Sequence, residues 1–333
     1  MPAGNGEFEP DAVIRLQSVP EGLPIDALIV HHFASSDSNV FLVSLDFPNG
    51  TPSSLSTNTP RLALLKLHDR RAFSRLRRSR SELQLDTEPF TEEHQKTYER
   101  YLSQLDPDRL SHMRLHDKQL LEDGHRTMAS GEFETYLALW ARKRYNAEVE
   151  VYKRLPHLQG RRIPRLYGVV VYPHARYIPD LIPGLLLEHT PSIPMPSLIR
   201  HDPPYPYDLI RGALDDAVRL VHEMNDQGVL NENISLDGIH VRQSYLDAWD
   251  TVSGASDASP SCFLTGLSHC RFRKPDESEE NWRAIKWAVD EEGTIGHAGQ
   301  RMIQQEYRGR KDPDDIWVYK PSLRYYSQLQ SEN

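Results

Sequence analysis

Gly228-Val-Leu-Asn-Glu-Asn-Ile-Ser-Leu-Asp-Gly-Ile-His-Val241 is the stretch on which the reading of this chain turns. Upstream of it, Ile210, Leu214, Ala217, Val221 and Met224 recur at three- and four-residue steps. That spacing places them on one buried face of a helix. Gly228 stands where such a helix would stop. Beyond it come the apolar pair Val229 and Leu230, a polar turn, and apolar residues on either side of His240. The pattern predicts helix, tight polar loop, short strand. The polar turn holds Asn231, Glu232, Asn233 and Asp237, with Gly238 just before the strand.

Working outward, the bounds are those of an ordinary folded chain. A length of 333 residues allows a large core and one two-lobed domain or two small ones. Thirty-nine basic against 48 acidic residues give a net charge of −9, and the pI is near 5.9. General nucleic-acid binding needs a broad basic face and is not expected. The two cysteines, Cys262 and Cys270, could pair, but so few in a long chain read as reduced and intracellular. The segment Met1–Pro10 has neither a basic start nor an apolar core, so no signal peptide is expected. The apolar runs at Val169–Tyr172 and Leu185–Leu187 are too short to span a bilayer.

Along the chain, residues 1–25 read as a polar lead-in with a strand near Val13–Leu16. Ala27–His31 and Val40–Leu45 are predicted strands, and residues 32–39 between them read as a polar hairpin turn. Leu62–Leu67 is an apolar strand carrying Lys66, a charge that must be paired or reach solvent. Arg70, Arg71, Arg75, Arg77, Arg78 and Arg80 read as a solvated helix face, which a phosphate-bearing or acidic partner could also use. Residues 84–130 read as a charged helical insertion, with Thr91 as an N-cap. A helix is predicted from Ser130, with Phe133, Leu137, Trp140 and Ala141 on one face. Strands follow at Val169–Tyr172 and Gly184–Glu188, then an irregular proline-rich run, Pro191–Pro206. After the loop, Ser244–Ser261 reads as a flexible excursion, Cys262–Leu264 as a strand, and Asn281–Asp290 and Gly299–Tyr307 as helices.

Five stretches carry a resemblance: Leu62–Arg71, Glu148–Gly160, Ile163–Gly168, Gly184–Glu188 and Gly228–Ile234. Tyr-Lys-Arg-Leu, Leu-Gln-Gly and Ile-Pro-Arg-Leu-Tyr-Gly within them are the most specific. Together they resemble the fungal protein-kinase-like proteins, over roughly residues 40–300. The resemblance implies an α+β, two-lobed, protein-kinase-like fold. Its small antiparallel-sheet lobe would occupy 26–190, interrupted by the insertion, and a shortened helical lobe would occupy 191–333. By the same resemblance Lys66 looks like the lysine that contacts ATP phosphates, with Glu148 as its partner and Glu150 as the rival. Glu188 falls at the hinge that would meet an adenine. Asn231 opens the catalytic loop, Asn233 stands where the catalytic aspartate would be, Gly238 replaces the metal-binding asparagine, and Thr265 replaces the metal-binding aspartate.

Those replacements have a chemical consequence. Magnesium wants carboxylate oxygen, which Thr265 and Gly238 lack. An amide such as Asn233 is no base near neutral pH, and losing a general base costs about 10²- to 10⁴-fold. Glu232 and Asp237 are each one position from a lost group and are the candidates for rescue; otherwise they are solvated loop carboxylates. His240 and His269 flank the loop without a metal-ligand set around them. The expected function is a catalytically impaired, kinase-like binding, scaffold or regulatory module with a protein partner. The alternatives are a divergent ATP-dependent kinase and a nucleotide-binding regulator without turnover. ATP is the only cofactor this implies; magnesium binding, a nucleic-acid partner and a membrane are not expected.

Overall fold

The computed structural model describes residues 8–33, 38–48, 50, 52–53, 55, 60–73, 90–105, 129–173, 181–251, 261–308 and 316–321. The chain falls into two compact units, residues 1–146 with 166–189, and residues 147–165 with 190–333.

The first unit is built on six strands: β1 (Val13–Ser18), β2 (Pro24–Phe33), β3 (Asn39–Asp46), β4 (Leu62–Leu67), β5 (Leu166–Pro173) and β6 (Leu181–Leu187). They are antiparallel in the order β1-β2-β3-β4-β6-β5, and β5 pairs back to β1 through Gln17–Val171 and Ser18–Val170. The sheet is therefore a closed barrel. Period-two alternation fills its interior with Ile14, Leu16, Ile25, Ala27, Ile29, Phe41, Val43, Leu45, Ala63, Leu65, Leu67, Val170 and Leu186. The alternation of β2 breaks between Ile29 and His31, where the register with β3 shifts at a bulge.

This overturns the two-lobed, protein-kinase-like architecture with a small antiparallel-sheet first lobe, since the sheet closes into a barrel. The reason lies in the stretch read as a lead-in. Ile14 and Leu16 make it an inward-facing strand that bonds to β2 on one side and β5 on the other, leaving neither edge open. The later part of the chain is not a purely helical lobe either, because it holds two small sheets.

Helix α1 (Glu92–Gln104) lies within the expected insertion and is capped by Thr91, whose Oγ1 accepts from His94 N at 3.4 Å. Residues 84–89 and 106–128 of that insertion lie outside the described residues. Helix α2 (Ser130–Arg154) starts where predicted, with Phe133, Leu137 and Ala141 buried against Phe73. Its residues up to 146 belong to the first unit and the rest to the second. Arg70 and Arg71 do not lie on a solvated helix face: they sit in a single 3₁₀ turn, Arg70–Ala72, and Arg70 is buried. Arg75, Arg77, Arg78 and Arg80 lie outside the described residues.

The second unit holds β7 (Ser192–Pro194), α3 (Met195–Ile199), α4 (Tyr207–Asp226), β8 (Val229–Asn231), β9 (Ile239–Arg242), α5 (Gln243–Thr251), β10 (Cys262–Leu264), β11 (Cys270–Phe272), α6 (Glu279–Val289) and α7 (Glu291–Glu306). Strands β10-β9-β7 form one sheet and β11-β8 another. The run Pro191–Pro206 is thus not wholly irregular, since β7 and α3 lie in it. The run Ser244–Ser261 opens with α5, and residues 252–260 lie outside the described ones. Cys262 and Cys270 are both buried thiols. No helix among the described residues is long and apolar enough to cross a membrane.

Candidate functional site

The loop at 228–241 belongs to the second unit and is positioned from three sides. Helix α4 leads into it with Ile210, Ala213, Leu214, Ala217, Leu220, Val221 and Met224 buried. Gly228 turns the chain at φ +70°, a left-handed conformation that suits glycine. Strand β8 then pairs Val229, Leu230 and Asn231 with Phe272, Arg271 and Cys270 of β11. On the far side, Ile239, His240 and Val241 pair with Leu264, Phe263 and Cys262 of β10.

These pairings bring together four of the positions marked out by sequence. Asn231 is buried, its Oδ1 accepts from Asn233 N at 3.1 Å, and its Nδ2 donates to Gly266 O at 3.4 Å. Thr265 donates both its backbone N–H, at 2.9 Å, and its hydroxyl, at 3.2 Å, to the carbonyl of Gly238. The amide and hydroxyl groups of Asn231 and Thr265 therefore hold the loop in shape. Glu232, Asn233 and Asp237 are exposed. Among the described residues, no group of three His, Cys, Asp or Glu side chains is placed to hold a metal ion.

Lys66 and Glu188 belong to the first unit and Glu148 to the second. Lys66 is on β4, on the opposite face from Leu65 and Leu67, yet it is only 7% exposed. Glu148 is buried in α2 at 1% exposure. Glu150 is engaged one helical turn on, in an ion pair with Arg154 at 2.8 Å. Glu188 is half-buried just past β6.

The carboxylate that does reach the loop is one that sequence reasoning missed. Glu291, the first residue of α7, accepts from Asn231 N at 2.7 Å and from Asn225 Nδ2 at 2.7 Å. Burial lifts its carboxyl to about 7, against the pull of both donors and of Lys286, with a smaller upward push from Glu232. Its signal in the sequence is Asp290-Glu291-Glu292-Gly293, an acidic first turn behind a capping aspartate. Asp290, at φ 47°, ends α6 and caps α7 by accepting from Gly293 N at 3.1 Å. The prediction of a helix beginning at Gly299 overlooked that turn.

A second buried network fixes β10. Arg162 Nη1 donates to Asp216 Oδ2 at 2.8 Å, and its Nε and Nη2 grip Glu223 at 2.9 and 2.6 Å. The same Asp216 oxygen accepts from Cys262 N and Ser261 Oγ, each at 2.9 Å. Burial raises the Asp216 carboxyl, but Arg162 and the two neighbouring donors outweigh it and hold the group below its ordinary value. Burial pushes the Cys262 thiol up to about 12, which makes it an unreactive core residue.

Beside the loop lies a groove of about 550 Å³ between α3, the turn Ser235–Asp237 and α7. Pro196, Leu236 and Met302 contribute apolar groups to its lining, and Arg200, Asp237, Asp290, His297 and Arg301 polar and charged ones. Compared with models of known protein families and with curated proteins, the chain matches none.

Proposed function

We propose that the chain is a binding module without phosphotransfer activity, and that its groove beside the 228–241 loop receives a short segment of a partner protein. This keeps the binding role expected from sequence and sets aside the kinase architecture. The observation that carries it is the division of labour around the loop. The polar groups of Asn231 and Thr265 are used internally, while the adjoining groove combines apolar side chains with charges of both signs. A groove that mixes apolar and charged side chains suits protein recognition, and the volume falls within the range of ligand sites. The complementary segment carries one apolar anchor flanked by an acidic and a basic residue, to meet Arg200 or Arg301 and Asp237.

The test is selection of displayed peptides on the full chain, followed by measurement on Met302→Glu. Met302 is half-buried in the groove, so the change puts a charge where the anchor would sit. The expected result is an enriched peptide class that binds the variant at least about tenfold more weakly, the equivalent of about 1.4 kcal/mol. Peptides that bind both forms alike would overturn the proposal. So would transfer of labelled phosphate from ATP that disappears in Lys66→Ala.

A further inference from the structure

We propose that the first unit carries a second, separate site: a cavity of about 120 Å³ walled by the 3₁₀ turn after β4, helix α2 and the start of β6, which binds a phosphate-sized oxyanion. The cavity holds several waters' worth of space, enough for one tetrahedral anion. Its lining includes His68, Arg70, Arg71 and Arg142, with Asp69 as the one carboxylate.

The walls are built rather than incidental. Arg70 is 6% exposed, donates to Glu134 Oε2 at 2.5 Å and to Gln95 Oε1, and has its guanidinium 4.0 Å from the Tyr98 ring centre and 5.0 Å from that of Phe90. Asp69 caps the turn by accepting from Arg71 N at 2.9 Å, and takes Arg71 Nε at 2.7 Å. His68 N donates to Pro183 O at 2.9 Å, tying the turn to β6, and the His68 ring meets Tyr145 edge-on at 5.7 Å. Gln95 is oriented in turn by donating to Glu99 Oε1 at 2.8 Å, on the exposed side of α1.

Charge decides what such a cavity takes. Among the described residues that line the cavity, three guanidiniums, those of Arg70, Arg71 and Arg142, stand against one carboxylate, Asp69, while Glu134 backs Arg70 and Glu99 backs Gln95 from outside the lining. The described lining is thus positive in balance, and a planar guanidinium is suited to bind the oxygens of a phosphate in pairs. Arg142 is exposed, so a ligand can reach it without opening the core. Leu181 stands at the rim and is 58% exposed. This site is independent of the groove in the second unit, and each can fail alone.

The experiment is calorimetric titration of the full chain with inorganic phosphate and, separately, with O-phosphoserine, against chloride at equal ionic strength. Arg142→Gln and Leu181→Glu are the variants, because both positions are exposed and neither holds the turn together. Thermal unfolding of each confirms that it folds. The expected result is saturable binding that weakens about tenfold in Arg142→Gln, as for the loss of one charge-assisted contact, weakens also in Leu181→Glu through the negative charge added at the rim, and tightens in Leu181→Lys. Stronger binding of O-phosphoserine assigns the site to a phosphate ester, and stronger binding of inorganic phosphate assigns it to the free ion; both sustain the proposal. Heat no larger than that of chloride, or equal affinity in all the variants, would overturn it as an adventitious ion only.

Discussion

Glu291 shows how one buried carboxyl couples a loop to pH. Its folded-state value of about 7 lies above the ordinary 4.5. The folded protein therefore holds this proton more tightly than the unfolded chain does. Its contribution to stability is complete below about pH 4.5 and is lost as pH rises to about 7, an effect of about 3 kcal/mol. Urea titrations between pH 5 and pH 8 should show that decline, and Glu291→Gln should remove its part of the slope. A slope unchanged in the variant would place the proton elsewhere. Gly228 makes a second prediction at this scale. It sits at φ +70°, and an added Cβ would lie 3.2 Å from the Cβ of Arg273. Gly228→Ala should lower stability by about 1–2 kcal/mol, the cost of a left-handed alanine, read as a shift in the urea midpoint.

At the scale of elements, Asp216 joins α4 to β10 by accepting from Arg162, Ser261 and Cys262 at once. Asp216→Ala should cost about 3–5 kcal/mol, because it strands buried donors and half of the Arg162 pairing; equilibrium unfolding measures it. Elements whose signal is local were legible in the sequence. Leu62–Leu67 and Cys262–Leu264 read as strands from short apolar runs, the first interrupted only by Lys66, and α4 from its helical period. Elements whose reason is tertiary were not. Strand β7 is three residues long and exists by pairing with β9, and α3 hides behind the prolines before it. The N-terminal turn of α7 was passed over between two predicted helices because its acids carry no apolar period. The candidate loop was legible as a frame: Thr265 bonds Gly238 there, and Asn231 reaches the neighbouring Gly266. Its buried carboxyl was not, because Glu291 arrives from 60 residues downstream. Arg70 misled for a related reason: a run of arginines reads as solvent-facing until a buried glutamate from another helix meets it.

At the scale of the whole molecule, the chain passes between its two units three times, after residues 146, 165 and 189. The first unit is therefore discontinuous in sequence. A fragment ending at residue 146 lacks β5 and β6, two of the six barrel strands, and leaves β1 and β4 each with a bare edge. That fragment should be aggregated or unfolded by size-exclusion chromatography and circular dichroism; a monomeric fragment with a cooperative melt would contradict the barrel. Closure has a further cost in time. Gln17 must find Val171, 154 positions away, before the wall is complete. At about 5–20 residues per second of synthesis, the first strand waits roughly eight to thirty seconds on the ribosome for its second neighbour. During that interval Ile14 and Leu16 have no interior to enter, so the nascent polypeptide is a client for any chaperone that shields greasy segments near the exit tunnel.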